Sequence, residues 1–124
     1  MTASAIDAQA LKKRTKEFAL LVLRLCGAAP RTEESRIICR QLLRSATSVA
    51  ANYRAVCRAR PTADFTSKLG IVLEEADESC FWLELLVEGG IFPREKVGFA
   101  LREANELVSI FVASLRTVKG LRAA

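Results

Sequence analysis

A row of five arginines on one side of a long amphipathic segment constrains the fold more than any other feature of this chain. At roughly 100° per residue, these arginines occupy a sector of about 80° on one helix, opposite a sector of apolar and small polar residues. One side of the helix must pack on a core, and the other requires water or anions. We define the arginine row as Arg36, Arg40, Arg44, Arg54 and Arg58. The opposite stripe is Ile38, Leu42, Ser45, Val49, Asn52 and Val56.

Breaks along the chain divide it into four predicted helices. Thr32, followed by two glutamates, is a good N-cap for the helix that carries the arginine row. Pro61 must end that helix, and Thr62 with Asp64 can cap the next one, which Gly89-Gly90 closes. Pro93 fits the first turn of the last helix. The predicted helices span about 6–26, 32–59, 63–88 and 93–119.

Four helices of similar length with short connections predict an all-α, up-down-up-down antiparallel four-helix bundle. We expect the 124 residues to form a single domain, 1–124, that is long enough to bury a core without disulfides or metal ions. Each helix should contribute one inward stripe. In helix 1 it is Leu11, Phe18, Leu21, Val22 and Leu25; in helix 3 it is Phe65, Leu69, Val72, Ala76, Cys80, Leu83 and Val87; in helix 4 it is Val97, Leu101, Ala104, Val108, Phe111, Leu115 and Val118.

Charge is distributed unevenly along the chain. Residues 1–62 carry 12 Lys and Arg against 4 Asp and Glu, whereas residues 63–124 carry 7 against 10. Arginine grips phosphate or carboxylate bidentately, so this excess requires an anionic partner: nucleic acid, or the acidic half of the same protein. Lys12, Lys13, Arg14 and Lys16 at the start of helix 1 are either a solvated face or an extension of an anion-binding surface.

Helix 3 carries apolar residues on more than one side. Its inward stripe leaves out Ile71, Phe81, Trp82 and Leu85, which alternate with glutamates. A helix that is apolar on several sides is buried on several sides, and in a small bundle the second surface is most simply another subunit. These four residues are therefore the predicted oligomer interface. The alternative is a wider internal core with Trp82 at its rim.

The polar residues of helices 2 and 3 have structural interpretations. Asn52 lies on an apolar stripe, and we interpret it as a buried residue that sets helix register. Ser45 and Ser48 are interpreted as small packing residues. The carboxylates of Glu74 and Glu78 share a face, but a di-iron site in such a bundle needs Glu-x-x-His motifs and this chain has no histidine. We expect these carboxylates to pair with arginines of helix 2, within or between subunits.

Several functional classes are disfavoured. Without histidine, and with no CxxC pair, the chain offers no zinc site and no Cys/His or Ser/His/Asp nucleophile, so we predict no enzyme activity, catalytic residue, metal or cofactor. We expect Cys26, Cys39, Cys57 and Cys80 to be buried structural thiols. The N-terminus lacks the pattern of a secretion signal, and the longest apolar run, 18–30, is too short to cross a bilayer. A cytoplasmic protein without membrane contact is expected.

The segment RSATSVAANYRAVCRARPTADFTSKLGIVLEEADE resembles the four-helix-bundle family of 23S rRNA intervening-sequence proteins. The family pattern is R-x-A-x-S-[IV]-x-x-N, then R, a short linker, [DE]-F-x-x-x-L and a later Glu. The chain departs from it at Ala55 and Val56, where the family usually has an acidic residue and a glycine. Accessory proteins of diversity-generating retroelements look like distant relatives. The matching positions are Arg44, Ala46, Ser48, Val49, Asn52, Arg58, Asp64, Phe65, Leu69 and Glu78.

The resemblance implies a small cytosolic bundle, a homo-oligomer with a ring of five as first choice, and a basic surface suited to RNA or DNA. It implies no catalytic residues. Backbone phosphates are the expected ligands, because aromatic stacking platforms typical of single-strand binders are absent and Tyr53 is the only aromatic residue near the arginine row. The alternative is a protein-protein interaction or scaffold module whose arginines pair with acidic helix 3 or with a partner protein. The candidate nucleic-acid contacts are the arginine row, with supporting charge from Arg60, Lys12, Lys13 and Lys16.

Overall fold

The computed structural model is an all-α, antiparallel four-helix bundle, as predicted. It describes residues 3–60 and 63–123, with side chains described for 8–60 and 63–120. Successive helices pack against each other, and the last closes the bundle by packing on the first. Observed and predicted helix ends differ by only a few residues. The helices are α1 (Ala3–Gly27), α2 (Glu33–Arg58), α3 (Ala63–Glu88) and α4 (Arg94–Ala123).

Local sequence signals determine the helix ends. The Thr32 side chain accepts a hydrogen bond from the backbone N–H of Ser35 (3.2 Å), which confirms the predicted N-cap of α2. After α3, Gly90 adopts φ 75°, and a Cβ at Gly89 would lie 2.8 Å from the carbonyl oxygen of Leu85. Both glycines are therefore required at this turn. Pro93 lies one residue before α4, while the predicted roles of Pro61 and Thr62 fall outside the described residues.

The core lies between the four helices and contains most of the predicted inward positions. In α2, Leu42, Val49 and Val56 are buried as expected, whereas Ile38 is half-buried. Tyr53, which the sequence placed near the arginine row, is buried instead. Its ring packs against Phe111 of α4 with the ring centroids 5.7 Å apart. Tyr53 thus belongs to the core.

The predicted stripes of α3 and α4 need correction at several positions. In α3, Phe65 and Val87 are only half-buried, because Ser79 and Leu86 occupy the side that faces α2. In α4, Val97, Ala104 and Phe111 are buried as predicted, and Ala100 and Leu107 are buried between them. The helix is therefore rotated relative to the predicted stripe. The residues left half-buried by this rotation are Leu101, Val108, Leu115 and Val118.

A buried serine pair, and not Asn52, supplies a polar contact between α2 and α3. Ser45 and Ser79 are each about 1% exposed or less, and their hydroxyl oxygens lie 2.9 Å apart. Asn52 is half-buried and donates a hydrogen bond to the backbone oxygen of Ser48 (2.9 Å), within its own helix. The prediction for Asn52 was wrong because its amide is satisfied locally. Ser45 is a small packing residue, as predicted, with a hydroxyl that bridges two helices.

The four cysteines are reduced but not uniformly buried. Cys39 and Cys80 lie in the core, Cys26 is half-buried, and Cys57 is exposed in the last turn of α2, which corrects the prediction of four buried thiols. Burial, together with the neighbouring Cys39, raises the pKa of Cys26 far above its ordinary value. Burial raises the pKa of Cys80 to about 11. These two thiols therefore stay protonated at neutral pH.

Candidate nucleic-acid interface

The arginine row lies on the outer side of α2, opposite the buried stripe. All five members are exposed, and so is Arg60 beyond the end of the helix. Their exposure follows from the helical period, since Leu42, Ala46, Val49 and Tyr53 occupy the inner side. The predicted separation of a guanidinium side from an apolar side is confirmed.

Acidic helix 3 reaches one member of the arginine row. The guanidinium of Arg44 lies 4.0 Å from a carboxylate oxygen of Glu78, the same oxygen that accepts a hydrogen bond from the Trp82 indole N–H (3.2 Å). Glu75 lies one turn earlier; burial, with a further contribution from Glu78, raises its pKa. The expected pairing between α2 arginines and α3 carboxylates thus occurs at Arg44, at the outer limit of ion-pair distance.

The other four members of the row have no carboxylate partner among the side chains that the structure describes. Within residues 8–60 and 63–120, the structure shows no ion pair for Arg36, Arg40, Arg54 or Arg58. An exposed guanidinium without a carboxylate keeps its fork of donors available to an anion. These four are therefore the arginines best placed to meet phosphate.

A shallow groove extends the basic surface past the end of α2. Arg58 and Arg60 line it from α2 and the following connection, and Lys68 lines it from α3. Asp64 also lines the groove and lies 3.4 Å from the Lys68 ammonium. The groove therefore combines three cations with one carboxylate.

The basic cluster of α1 divides into three lysines near the surface and one structural arginine. Arg14 is held by two carboxylates of α4: its Nε donates to Glu103 (2.6 Å) and its terminal nitrogen donates to Glu103 (3.0 Å) and Glu106 (2.5 Å). These hydrogen bonds raise its pKa further above the ordinary arginine value. Arg14 thus joins α1 to α4 and is removed from any anion-binding surface.

The lysines of this cluster stay near the surface. Lys16 is exposed, Lys12 is half-buried, and the Lys13 ammonium lies 4.0 Å from the Glu17 carboxylate within the same helix. An exposed pair of this kind contributes little energy and does not neutralise the lysine strongly. All three predicted lysines therefore remain accessible supporting charge.

Contacts between helices show where these charges face. The Cys26 thiol donates to the backbone oxygen of Cys39 (3.9 Å), which marks the adjoining sides of α1 and α2. Arg36, three residues before Cys39, lies on the α1 side of α2, and by helical period Arg54 lies there too. On α1, Lys12 and Lys16 fall within about 80° of Cys26. We define the basic face as the α1–α2 side carrying Lys12, Lys16, Arg36, Arg40, Arg54 and Arg58.

The predicted oligomer-interface residues of α3 are only partly covered within the subunit. Phe81 is 50% exposed and Ile71 is 43% exposed, while Trp82 and Leu85 are half-buried. The Phe81 and Trp82 rings pack edge to face with centroids 4.9 Å apart. Trp82 does lie at a rim, but an apolar surface remains in contact with water beside it.

Sequence reasoning missed four other exposed apolar side chains. Each of them is an apolar residue on the otherwise charged side of its own helix, and the helical period of the sequence is enough to detect this. Ile37, for example, directly follows Arg36 and lies among the arginines. These residues are Leu20, Leu23, Ile37 and Phe99.

The described part of the chain shows neither a cluster of three side chains that could hold a metal ion nor a helix that could span a membrane. Its Cys, Asp and Glu side chains form no cluster of three that could hold a metal ion. None of its helices combines the length and apolar character that a bilayer span requires. The chemistry available to this surface is the binding of anions by guanidinium and ammonium groups.

Comparison with known proteins identifies a family and, among solved structures, a similar protein. The model of the 23S rRNA-intervening sequence protein family matches residues 8–113. A protein of unknown function from the S23 ribosomal protein family of Bacteroides thetaiotaomicron VPI-5482 is 30% identical. The similarity covers 89% of this chain and 98% of that chain, with a TM-score of 0.79. No curated protein matches the chain significantly.

Proposed function

The chain belongs to the 23S rRNA-intervening sequence protein family, and on that premise we propose that it is a non-enzymatic, cytoplasmic protein that binds RNA or DNA through backbone phosphates. The basic face is the binding surface. The proposal includes self-association through the apolar side of α3, with a ring of five favoured by the family resemblance. Repetition of a weak basic face in each subunit would raise the affinity by avidity.

A single observation carries this proposal. Four exposed arginines, Arg36, Arg40, Arg54 and Arg58, lie on one helix, and the described residues supply no ion pair to any of them. Arginine presents a planar fork of donors that can bind a phosphate bidentately. An unpaired surface arginine contributes more to the binding of a polyanion than to the stability of the isolated fold. A row along a helix matches the repeating charge of a nucleic-acid backbone.

The surface favours phosphate contacts over base contacts. Proteins that read single strands stack bases on exposed aromatic side chains, and Tyr53, the aromatic residue of α2, is buried against Phe111. Recognition of shape and phosphate in a structured RNA or a duplex requires no such platform. We therefore expect weak sequence preference and a strong dependence on salt.

The test is an electrophoretic mobility shift with a structured RNA and a duplex DNA at two salt concentrations. Wild type should bind at low salt and weaken steeply at high salt, and Arg40→Glu and Arg44→Glu should weaken binding at both. Arg102→Glu is the matched control, because Arg102 is an exposed arginine of α4, away from the basic face. Absence of binding at low salt, or equal loss in the control, would contradict the proposal.

A protein-binding scaffold is the second candidate, and the pairing of Arg44 with Glu78 favours it. That pair shows that α3 carboxylates can engage the row, and a partner carrying similar carboxylates could engage the other arginines. Phe81 and Ile71 would then contribute apolar contact area to such a partner. Failure of nucleic-acid binding at low salt by a folded protein would support this candidate.

A further inference from the structure

A small pocket lies at the corner where α1 ends and α2 begins. Two thiols line it, Cys26 from α1 and Cys39 from α2, together with the hydroxyl-bearing Ser35. The connection between the two helices and the arginines Arg31 and Arg36 complete its wall. Its volume is about 280 Å³, ample for a metal ion. The nucleic-acid surface proposed above includes Arg36 but neither of the two thiols.

The two thiols of this pocket lie side by side. The Cys26 thiol donates a long hydrogen bond to the backbone oxygen of Cys39 (3.9 Å), so it approaches the residue that carries the second thiol. Burial, followed by a hydrogen bond with the Cys39 side chain, raises the pKa of Cys26, which agrees with direct contact between the two sulfur groups. Cys39 is buried and Cys26 is half-buried. Cys26 is therefore the thiol of the pair that lies nearer to solvent.

Ser35 brings an unused hydrogen-bond donor to the same pocket. It is 1% exposed, and its hydroxyl has no hydrogen-bond partner among the described residues. A helical serine often donates to the carbonyl four residues earlier, but that residue is Arg31, which precedes the start of α2. A buried hydroxyl without a partner costs free energy, and an acceptor bound in the pocket would remove that cost.

The electrostatic surroundings of the pocket favour a negatively charged group. Arg31 and Arg36 contribute guanidinium groups, and the amino-terminal end of α2 adds the positive end of its helix dipole. The glutamates of the first turn, Glu33 and Glu34, are exposed and do not line the pocket. Two thiolates that share one monovalent cation carry a net charge of minus one, so such a complex would be stabilised here.

The ligand set selects a cation that two thiolates are enough to bind. Zn²⁺ in structural sites takes four ligands, and in the described part of the chain no three Cys, Asp or Glu side chains come together in a group that could hold a metal ion. Cu⁺ and its analogue Ag⁺ prefer soft sulfur ligands and form two-coordinate complexes with a pair of thiolates. The lack of histidine, which disfavours zinc in this chain, does not affect a site of that kind.

We propose that Cys26 and Cys39 bind one Cu⁺ per chain and that the Ser35 hydroxyl donates a hydrogen bond to a thiolate of the complex. Binding replaces two S–H bonds by two Cu–S bonds and releases both protons to solvent, without transfer of electrons. Arg31 and Arg36 stabilise the negative charge of the complex. The site depends neither on nucleic-acid binding nor on self-association of the chain.

The test titrates the full chain with Cu⁺ under anaerobic conditions, supplied from a chromophoric Cu⁺ chelator whose absorbance reports the transfer. Cys57→Ser is the reference variant, because it removes the exposed thiol that could bind the metal adventitiously. Native mass spectrometry should find one Cu⁺ per chain in this variant. Addition of Cys26→Ser or Cys39→Ser should abolish the transfer. Addition of Cys80→Ser should leave it unchanged, because the Cys80 thiol faces Asn105 of α4.

Ser35→Ala separates a role in metal binding from a role in packing. The variant keeps both thiols and removes a hydroxyl that has no partner among the described residues, so the melting temperature of the metal-free protein should stay the same or rise. Its affinity for Cu⁺ should fall by about tenfold or more, as expected for loss of a hydrogen bond to a charged group. A lower melting temperature with unchanged Cu⁺ affinity would assign the hydroxyl to the fold alone and contradict its part in the site.

Alkylation of the wild-type chain identifies the ligands without any substitution that could disturb folding. Cu⁺ should protect Cys26 from a small alkylating reagent and leave Cys57 reactive. Ag⁺ should protect Cys26 equally, whereas protection by Cu⁺ alone would indicate oxidation of the thiols and overturn the proposal. Failure of Cys57→Ser to bind Cu⁺, equal loss on addition of Cys26→Ser and Cys80→Ser, or Zn²⁺ binding as tight as that of Cu⁺ would also overturn it.

Discussion

Substitution of Glu78 by glutamine should strengthen nucleic-acid binding, because Glu78 competes with phosphate for Arg44. The two charged groups lie 4.0 Å apart, and the side chains of Arg44 and Glu78 are 66% and 34% exposed. Unit charges at that distance attract by about 1 kcal/mol in water and about 4 kcal/mol at an effective dielectric constant near 20. For an exposed pair about 0.2–1 kcal/mol is realistic. Release of Arg44 should therefore tighten binding by about 1.4- to 5-fold.

The salt dependence of nucleic-acid affinity provides a second and more sensitive measure of the effect of Glu78→Gln. If Arg36, Arg40, Arg54 and Arg58 each meet one phosphate, the logarithm of affinity for duplex DNA should fall by about 3.6 per log unit of salt. A fifth contact from Arg44 should steepen this slope by up to about 0.9. Fluorescence anisotropy titrations at four or five salt concentrations measure both quantities.

The control for this experiment removes the same charge elsewhere on the same helix. Glu84 is exposed on the α4 side of α3, where it acts on the Cys80 thiol, so Glu84→Gln alters net charge without touching Arg44. Glutamine at position 78 can still accept the hydrogen bond from Trp82. Equal slopes in the two variants would refute the competition between Glu78 and phosphate. Weaker binding by Glu78→Gln would mean that the carboxylate itself supports the complex.

Two further predictions concern the interior. With a thiol reagent at neutral pH, the exposed Cys57 should be labelled first, whereas Cys39 and Cys80 should react only on the timescale of unfolding; rapid labelling of all cysteines would contradict the burial pattern. In denaturant titrations, Ser45→Ala or Ser79→Ala alone should destabilise by about 0.5–1.5 kcal/mol, and the double variant should cost less than the sum because neither hydroxyl is then left behind. Additive losses would show that the hydroxyls act independently.

Helix positions and the exposure of the arginine row were predictable because both depend on neighbours in sequence. A cap such as Thr32 and a break such as Gly89-Gly90 act within one turn of backbone, and the helical period alone places the arginines opposite Leu42 and Val49. Nothing about the partner helix is needed for either conclusion. The resemblance in the Arg44-to-Glu78 segment led to the same fold.

Contacts between helices were not predictable in the same way, since they depend on rotation and register. The sequence places Arg14 in one basic cluster with its neighbouring lysines, whereas the antiparallel packing of α1 on α4 brings it to Glu103 and Glu106. Ser79 and Phe99 were missed because a shift of about one residue in the apolar stripe exchanges buried and exposed positions along a helix. Hydrophobic periodicity gives the width of a stripe more reliably than its centre.

Arg44 lies where the two proposed activities of this bundle meet. It is the member of the arginine row that leans toward α3, so it borders both the basic face and the apolar side of α3. If a second subunit covers that side, exclusion of water strengthens the attraction between Arg44 and Glu78. Assembly would then withdraw Arg44 from phosphate and leave the other four arginines of each subunit available. Glu78→Gln should therefore increase nucleic-acid affinity less in the multimer than in a monomeric Phe81→Glu background.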